Sequence, residues 1–353
     1  MSDEVDGAAA AAHPLGEPGD EHGSGELRVV VTGGSGYLGS LVVARLAAAG
    51  AAVLSLDLRP PATPISGVHQ VDGDLRTVDL PALLTEHAAT AVVHLAAVVE
   101  PPRGMTDAEL EQIEVGGTER VVQACLATGV GHLTVTSSGA AYGYHARNDR
   151  RRLTEDDPVT GSAEFAYSRH KAAVEALLAT ARRRHPELTQ LVLRPGTILG
   201  AGTRNQITAL FTGRFLMCFT ENDGPFTFVW DEDVADIILA GVRRRRSGIY
   251  NVSGDGVMTM RDIARAEGKP VVTVPSWSVR AALMVGRGRG WRGTGPNRST
   301  SCCTGRSWTT RDYGATSRDC PRRRPDRPTR SSERGDDDDD TARVCRPRRR
   351  RRR

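Results

Sequence analysis

The sequence of 353 residues predicts an α/β fold, in which a doubly wound parallel sheet is followed by a smaller C-terminal lobe. Apolar runs of strand length alternate with amphipathic helical patterns between residues 26 and 195, which is typical of a parallel sheet covered by helices on both faces. A glycine-rich turn follows the first strand and opens the first helix. Beyond residue 195 the alternation is lost, which indicates a lobe over the carboxyl edge of the sheet, where ligands bind in open α/β folds.

The glycine-rich turn lies between an apolar strand that ends at Thr32 and a helical pattern that starts near Leu38. Its glycines, spaced G-x-x-G-x-x-G, are Gly33, Gly36 and Gly39. In a dinucleotide-binding turn the first allows the tight turn, the second lets a pyrophosphate approach the backbone, and the third lets helix and strand pack closely. The free N–H groups at the positive end of the helix then face the anion. An ordinary strand–turn–helix is the alternative.

The second predicted strand, residues 52–56, ends at an acid that favours the dinucleotide interpretation. Asp57 stands 18 residues after Gly39. An acid at this place can accept hydrogen bonds from both hydroxyls of the adenosine ribose, and it repels a 2′-phosphate. Arg59 partly offsets that repulsion. We therefore expect NAD as the cofactor rather than NADP.

The remaining elements continue the alternation. Further strands are predicted at 68–75, 91–97, 132–138 and 191–195, with helices at 107–128 and 163–183. Beyond residue 195 the patterns predict a helix at 231–242, a strand at 249–252 and a short helix at 259–266. We therefore divide the chain into a leader (1–25), an NAD-binding domain of Rossmann type (26–195), a substrate-binding lobe (196–287) and a tail (288–353).

Composition excludes several classes of protein. The net charge of +4 arises from the tail, and the 47 basic residues include only two lysines, which indicates GC-rich coding rather than a nucleic-acid-binding face. No apolar run approaches the roughly 18 residues of a membrane helix, and the N-terminus does not resemble a secretory signal. Four of the six cysteines lie beyond residue 300, and no C-x-x-C pair occurs. We expect a reduced, cytoplasmic protein without nucleic-acid or membrane partners.

Both ends of the chain lack the composition of a folded domain. Residues 1–25 are mostly Ala, Gly, Pro, Asp and Glu, and residues 288–353 contain no Leu, Ile, Phe or Met, so we expect both to be disordered. For the tail, a natural disordered segment and a basic arm for RNA or membranes are alternatives. We interpret it as a shifted reading frame, because Cys and Trp codons and most Ser codons begin with T. Displacing the frame by one base puts that T in second position, where it encodes apolar residues. The lobe before it is then incomplete.

Three downstream residues form a catalytic constellation. Tyr167 and Lys171 are four apart, on one face of a predicted helix. A nearby ammonium favours the phenolate form of a tyrosine, which can then take a proton from a substrate hydroxyl while hydride leaves the same carbon. Ser138, at the carboxyl end of a strand, can hydrogen-bond that oxygen. For the Tyr–Lys pair alone, a solvated helix face is the alternative.

With these motifs the sequence resembles the extended short-chain dehydrogenase/reductases, also called the NAD-dependent epimerase/dehydratase family. The resemblance covers residues 27–287. It rests on an ordered set of motifs, namely T-G-G-S-G-Y-L-G at 32–39, Asp57, Asp74-Leu75, His94–Ala97, Ser137–Gly143, Tyr167–Lys171, Arg194-Pro195 and Trp230–Ala235. The resemblance implies that Tyr167 is the catalytic base, that Lys171 also holds the nicotinamide ribose and that Ser138 orients the substrate.

The resemblance also implies further cofactor contacts within the matched motifs. Asp74 and Leu75 are expected against the adenine. Tyr37 and Leu38 from the glycine turn, and Ala96 after the fourth strand, complete the expected cofactor site. No metal site is expected.

Departures from family patterns narrow the activity. The sugar-nucleotide 4,6-dehydratases carry an Asp-Glu pair after the catalytic hydroxyl residue, and Gly139 and Ala140 at those positions disfavour dehydration. Many nucleotide-sugar epimerases have an Asn shortly after the conserved Arg, whereas this chain reads Arg194-Pro195-Gly196-Thr197. That form resembles at least equally the hydroxysteroid dehydrogenase and dihydroflavonol reductase branches. Relatives that only sense the dinucleotide usually lose the Tyr–Lys pair, which is intact here.

We therefore predict an NAD-dependent enzyme that removes hydride from a carbinol carbon of a small molecule. The leading substrate class is a nucleotide sugar, with an epimerase-like outcome. The alternative is a 3β-hydroxysteroid dehydrogenase-like or dihydroflavonol reductase-like oxidoreductase, and a non-catalytic NAD sensor is a third candidate. Epimerase and dehydrogenase outcomes share one site, so the motifs do not separate them. A homodimer is compatible with this assignment.

Overall fold

The computed structural model describes residues 26–148, 152–203, 206–220, 225–275 and 277–278. The predicted leader (1–25) and tail (288–353) lie outside the described residues, so the predictions of disorder and of a shifted reading frame stay predictions.

The described elements alternate as predicted up to residue 195. The strands are β1 (Arg28–Thr32), β2 (Ala52–Asp57), β3 (Val68–Asp72), β4 (Ala91–His94), β5 (His132–Thr136), β6 (Thr189–Pro195), β7 (Thr197–Leu199), β8 (Leu216–Phe219), β9 (Phe228–Trp230), β10 (Gly248–Val252) and β11 (Val271–Val274). The α-helices are α1 (Tyr37–Ala48), α2 (Leu80–Glu86), α3 (Asp107–Glu111), α4 (Gly117–Thr128), α5 (Ala166–Arg184), α6 (Gln206–Ala209), α7 (Asp231–Arg243) and α8 (Met260–Ala266).

A seven-stranded parallel sheet organises the fold, with strand order β10-β6-β5-β4-β1-β2-β3. The chain builds outward from β1 through β2 and β3, and then returns to add β4 on the other side of β1. Ligands of open α/β folds bind at such a reversal, outside the carboxyl ends of the strands. The predicted doubly wound parallel sheet is thus confirmed, with β1 and β4 at its switch point.

The strand β1 shows why the sheet lies in the core. Val29, Val30 and Val31 have no exposed surface, as expected for a strand covered on both faces. Their side chains alternate between faces, so Val30 packs in one apolar cluster while Val29 and Val31 pack in the other. The first cluster includes α4 and α5, and the second includes α1 and α7.

Part of the segment assigned to the substrate-binding lobe completes the main sheet. Helix α7 packs against α1, and β10 pairs in parallel with β6 as an edge strand. This pairing joins residues more than 50 positions apart, so local sequence patterns carry no signal for it. A separate small apolar cluster includes the buried residues Leu216, Phe226 and Ile263, and it joins β8 to α8.

The predicted helix at 107–128 is interrupted. Helix α3 begins at a capping box, in which Thr106 and Glu109 satisfy each other's backbone N–H groups. A π-helical turn, Gln112–Gly116, then leads into α4. Such turns are rare in proteins overall, and those that occur often lie at functional sites. No helix in the described part of the chain is long and apolar enough to cross a membrane.

Candidate active site

The glycine turn leaves no room for side chains. Gly33 has a φ of +75°, and a Cβ there would lie 2.6 Å from the backbone nitrogen of Ala96. A Cβ on Gly39 would overlap the carbonyl oxygen of Gly33. Side chains at these two positions would therefore push apart the turn, β4 and α1. Ala96 is thereby placed beside the turn.

Helix α1 presents its N-terminus at the carboxyl edge of β1. Gly36 caps the helix without a side chain, and Tyr37, Leu38 and Gly39 form its first turn. The N–H groups of a first helical turn have no partner within the helix, and the helix dipole makes that end positive. These features suit an anion such as a pyrophosphate.

The acid at the end of β2 contacts the glycine turn directly. The Asp57 carboxylate accepts a hydrogen bond from the Ser35 N–H at 3.0 Å and another from the Leu58 N–H at 2.7 Å. Both bonds fix its orientation at the carboxyl edge of the sheet. The N–H donors of the glycine turn suit a pyrophosphate, and the carboxylate acceptor of this acid suits the ribose hydroxyls of a dinucleotide.

Two residues predicted to lie against the adenine, Asp74 and Leu75, have side chains that contact other parts of the protein. Asp74 accepts a forked hydrogen bond from Arg76, whose guanidinium holds the pKa of that carboxyl below its usual range. The Leu75 side chain is buried in the apolar core, where it packs close to Gly117.

Tyr37 connects the glycine turn with residues far along the chain. Its hydroxyl donates a short hydrogen bond to Asp231, the first residue of α7, and accepts one from the Thr203 hydroxyl at 2.5 Å. Burial raises the pKa of Tyr37, and the bond to Asp231 adds to the effect. The start of α1 is thus tied to α7 and to the loop after β7.

The predicted catalytic pair lies at the start of α5. Tyr167 is the second residue of the helix, and Lys171 follows one turn later. The Lys171 ammonium lies 5.6 Å from the centroid of the Tyr167 ring. Lys171 is only 5% exposed, so the alternative of a solvated helix face does not hold for it.

A buried glutamate on the π-helical turn pairs with Lys171. Glu114 Oε2 lies 2.9 Å from Lys171 Nζ, and Glu114 Oε1 accepts a hydrogen bond from the Val98 N–H at 2.5 Å. Burial opposes the ionisation of both side chains. Their mutual attraction, with the Val98 N–H, outweighs it, so the pKa of Glu114 lies below its usual range and the pKa of Lys171 lies above.

His94, at the end of β4, lies beside this pair in a fixed neutral form. Its Nδ1 lies 2.7 Å from the Thr32 hydroxyl and its Nε2 lies 3.1 Å from the Thr118 hydroxyl. Thr118 donates its own proton to the Glu114 carbonyl, so His94 Nε2 carries the hydrogen and Nδ1 accepts one from Thr32. Burial, with help from the Lys171 charge, lowers the pKa of His94 to about 4.

Ser138 lies where β5 ends, at the start of a short 3₁₀ turn, Gly139–Tyr142. Its hydroxyl oxygen accepts a hydrogen bond from the Ala140 N–H at 3.1 Å. The Ala140 carbonyl accepts a bond from the hydroxyl of Ser168, the neighbour of Tyr167, at 2.5 Å. The structure thus brings the carboxyl end of β5 and the start of α5 together.

A buried polar network lies behind Ser138. The Arg194 guanidinium on β6 binds the Glu175 carboxylate on α5 and donates to the Tyr142 hydroxyl at 2.6 Å. The Tyr142 hydroxyl in turn donates to Asn251 on β10 at 2.8 Å. Burial raises the pKa of Tyr142 to about 12. The network therefore positions the 3₁₀ turn on two strands and α5.

Sequence patterns did not identify Glu114 and Glu175. Both are buried acids within helical patterns, and Glu114 falls at a core position, four residues after Leu110 and four before Thr118. The signal in the sequence that could have identified Glu114 is its place, as an acid, on the apolar face of a predicted helix. Among the described residues, no group of three or more His, Cys, Asp or Glu side chains could hold a metal ion.

Comparison with known proteins yields one matching family model. The model of the NAD dependent epimerase/dehydratase family matches residues 29–253. The UDP-glucose 4-epimerase of Mycolicibacterium smegmatis is 28% identical over 253 residues, covering 66% of this chain and 79% of that protein. The Short-chain dehydrogenase/reductase family 42E member 1 of Xenopus laevis is 30% identical over 213 residues, covering 55% of this chain and 53% of that protein.

Solved structures are similar to most of this chain. One of them, MoeE5 in complex with UDP-glucose and NAD, superimposes with a TM-score of 0.59 and 27% sequence identity. The superposition covers 71% of this chain and 85% of that chain.

Proposed function

The chain belongs to the NAD dependent epimerase/dehydratase family, and we propose that it removes hydride from a carbinol carbon of a nucleotide sugar, with an epimerase-like outcome. The observation that carries this proposal is the pairing of Tyr167 with the buried Lys171 at the start of α5. The named activity of the M. smegmatis relative and the UDP-glucose bound by MoeE5 support the choice of substrate class.

The residues of the chain would hold NAD at the switch point of the sheet. The first-turn N–H groups of α1 would bind the pyrophosphate. Asp57 would accept hydrogen bonds from the adenosine ribose, and Lys171 would hold the nicotinamide ribose. When bound, NAD accepts the hydride that leaves the substrate.

The proton steps belong to the protein. Tyr167 would take the proton of the substrate hydroxyl through its phenolic oxygen, and the positive charge of Lys171 favours that transfer. Ser138 would hydrogen-bond the same substrate oxygen from the end of β5. In an epimerase the intermediate turns and hydride returns to its other face, whereas in a dehydrogenase the ketone leaves.

A second candidate is a hydroxysteroid dehydrogenase-like or dihydroflavonol reductase-like oxidoreductase. The Arg194-Pro195-Gly196 sequence at the end of β6 favours it, and the 30% identity with a member of the short-chain dehydrogenase/reductase family 42E favours an oxidoreductase outcome. A non-catalytic sensor is disfavoured because the Tyr–Lys pair is intact. The cytoplasmic location and a homodimer stay predictions.

The test is a turnover screen of the full chain with UDP-sugars beside 3β-hydroxysteroids and dihydroflavonols. Epimer formation is read by chromatography, and release of reduced cofactor by its absorbance. We expect UDP-sugar conversion that falls at least about 10²-fold in Tyr167→Phe, the usual effect of losing a general base, while NAD binding persists. Tyr250→Phe, a tyrosine outside the site, is the matched control.

Three other outcomes of the screen would contradict the proposed function. Turnover of hydroxysteroids without UDP-sugars would favour the second candidate. Tight NAD binding without turnover of any substrate would favour the sensor. Near-normal activity in Tyr167→Phe would mean that another group is the base.

A further inference from the structure

The ion pair of Glu114 and Lys171 is nearly inaccessible to water. The two side chains are 2% and 6% exposed, and Glu114 Oε2 lies 2.9 Å from Lys171 Nζ. A buried charge is strongly unfavourable unless a partner of opposite sign lies close. The two groups therefore form one unit whose net charge is zero.

The structure fixes Glu114 at both its side chain and its backbone. Its second carboxylate oxygen accepts the Val98 N–H in the loop after β4, and its carbonyl accepts the Thr118 hydroxyl. Thr118 in turn binds His94 at the end of β4. The carboxylate is thus held by the π-helical turn and β4, independently of Lys171.

The other titratable groups near Lys171 do not replace this partner. Tyr167 lies on the same helix, and the Glu175 carboxylate is bound by Arg194. His94 is neutral at physiological pH, because its pKa is about 4. Glu114 is the one carboxylate that the described structure places in direct contact with the Lys171 ammonium.

We propose that Glu114 is a positioning residue that neutralises Lys171 beside the nicotinamide and so sets the preference of the site for oxidised over reduced cofactor. This inference rests on the proposed function, in which Lys171 holds the nicotinamide ribose. The oxidised nicotinamide ring is a cation and the reduced ring is neutral. An uncompensated ammonium would therefore repel only the oxidised form, and Glu114 removes that repulsion.

The test compares the Kd values of NAD⁺ and NADH for the full chain, without substrate, at about pH 7 and again at about pH 6. The lower pH keeps Lys171 charged in Glu114→Gln, where burial is no longer offset by the Glu114 carboxylate. Glu114→Gln keeps the size of the side chain and removes its charge. We expect its ratio of Kd(NAD⁺) to Kd(NADH) to rise at least about tenfold, since a charge within about 4–6 Å shifts such equilibria by roughly one to three powers of ten. Glu114→Asp keeps the charge and should retain most of the wild-type ratio.

Two further variants control the experiment. Glu111→Gln removes an exposed acid from the end of α3 and should leave the ratio unchanged. The double variant Glu114→Gln with Lys171→Met removes both charges, so its ratio should return to within about threefold of the wild type. If Glu114→Gln alone fails to fold, the ratio of Kd(NAD⁺) to Kd(NADH) in the double variant still tests the proposal.

An unchanged ratio in a folded Glu114→Gln variant would overturn the proposal. A double variant that favours NAD⁺ much more than the wild type would also overturn it, because the wild-type site would then carry an uncompensated positive charge. These measurements need no turnover. Failure of the sugar screen with the expected shift in the ratio would reject the proposed substrate and leave the role of Glu114 standing.

Discussion

The Glu175 carboxylate accepts hydrogen bonds from the Arg194 Nε–H at 2.9 and 3.0 Å, and both side chains are buried. The same carboxylate accepts the Ser137 hydroxyl proton at 2.6 Å. Glu175 lies one helical turn after Lys171, and Ser137 directly precedes Ser138. One carboxylate thus sets the position of α5 relative to the end of β5.

We predict that Glu175→Ala lowers the free energy of unfolding by about 3–5 kcal/mol, because it leaves the buried Arg194 charge without its partner. Urea denaturation measures the effect. Arg265→Ala, which breaks a pair with Asp262 at the surface, is the control and should cost less than about 1 kcal/mol. Similar losses in both variants would contradict the prediction.

Gly39→Ala should abolish dinucleotide binding. Its Cβ would overlap the Gly33 carbonyl oxygen, so α1 must move away from the turn that would bind the pyrophosphate. Gly116→Ala adds the same methyl group where nothing lies within 4 Å, and a helical Ala is more stable than Gly by about 1 kcal/mol. Calorimetric titration with NAD should therefore separate the two variants. Binding of similar strength in both would show that the turn can widen.

Wild-type protein should bind NAD more tightly than NADP, because the Asp57 carboxylate would repel a 2′-phosphate. Asp57→Asn keeps an acceptor for the Ser35 N–H but removes the charge, so we expect the preference for NAD to fall at least about tenfold. Titration with each cofactor measures this preference. Glu86→Gln, an exposed acid at the end of α2, is the control. Tighter binding of NADP by the wild type would refute the assignment.

Stability should fall on mild acidification. Burial, with a smaller contribution from the Arg245 charge, lowers the pKa of His132 from 6.5 to about 4. Between these values the unfolded chain takes up a proton that the folded protein does not, so stability decreases as the pH falls. His132 alone should account for about 2 kcal/mol between about pH 7 and pH 5.

Urea denaturation at several pH values measures this slope. His132→Gln should reduce the slope by the contribution of one histidine and leave that of the buried His94. His69→Gln, on the exposed surface of β3, is the control. A slope that His132→Gln does not change would contradict the prediction.

The sequence was sufficient for those parts of the fold and site that depend on local patterns. The strand before Gly33, the helix after it and the acid at residue 57 follow from spacing, and the family match confirms the predicted fold, enzyme class and dependence on NAD. The place of β10 beside β6 did not follow, because strand order depends on distant pairing. The Glu114–Lys171 pair depends on a π-helical turn for which the sequence pattern offered no expectation.

The contacts of α1 with α7 and of β6 with β10 have a consequence for folding during synthesis, because both partners come late in the chain. Every residue assigned to cofactor or catalysis has been synthesised by Pro195, yet at that point α1 still lacks α7 and one edge of β6 still lacks β10. Unpaired strand edges and bare apolar surfaces promote aggregation during synthesis. The nascent protein therefore stays vulnerable until Val252 emerges, and a fragment cut at residue 195 would carry all the assigned chemistry without a finished sheet.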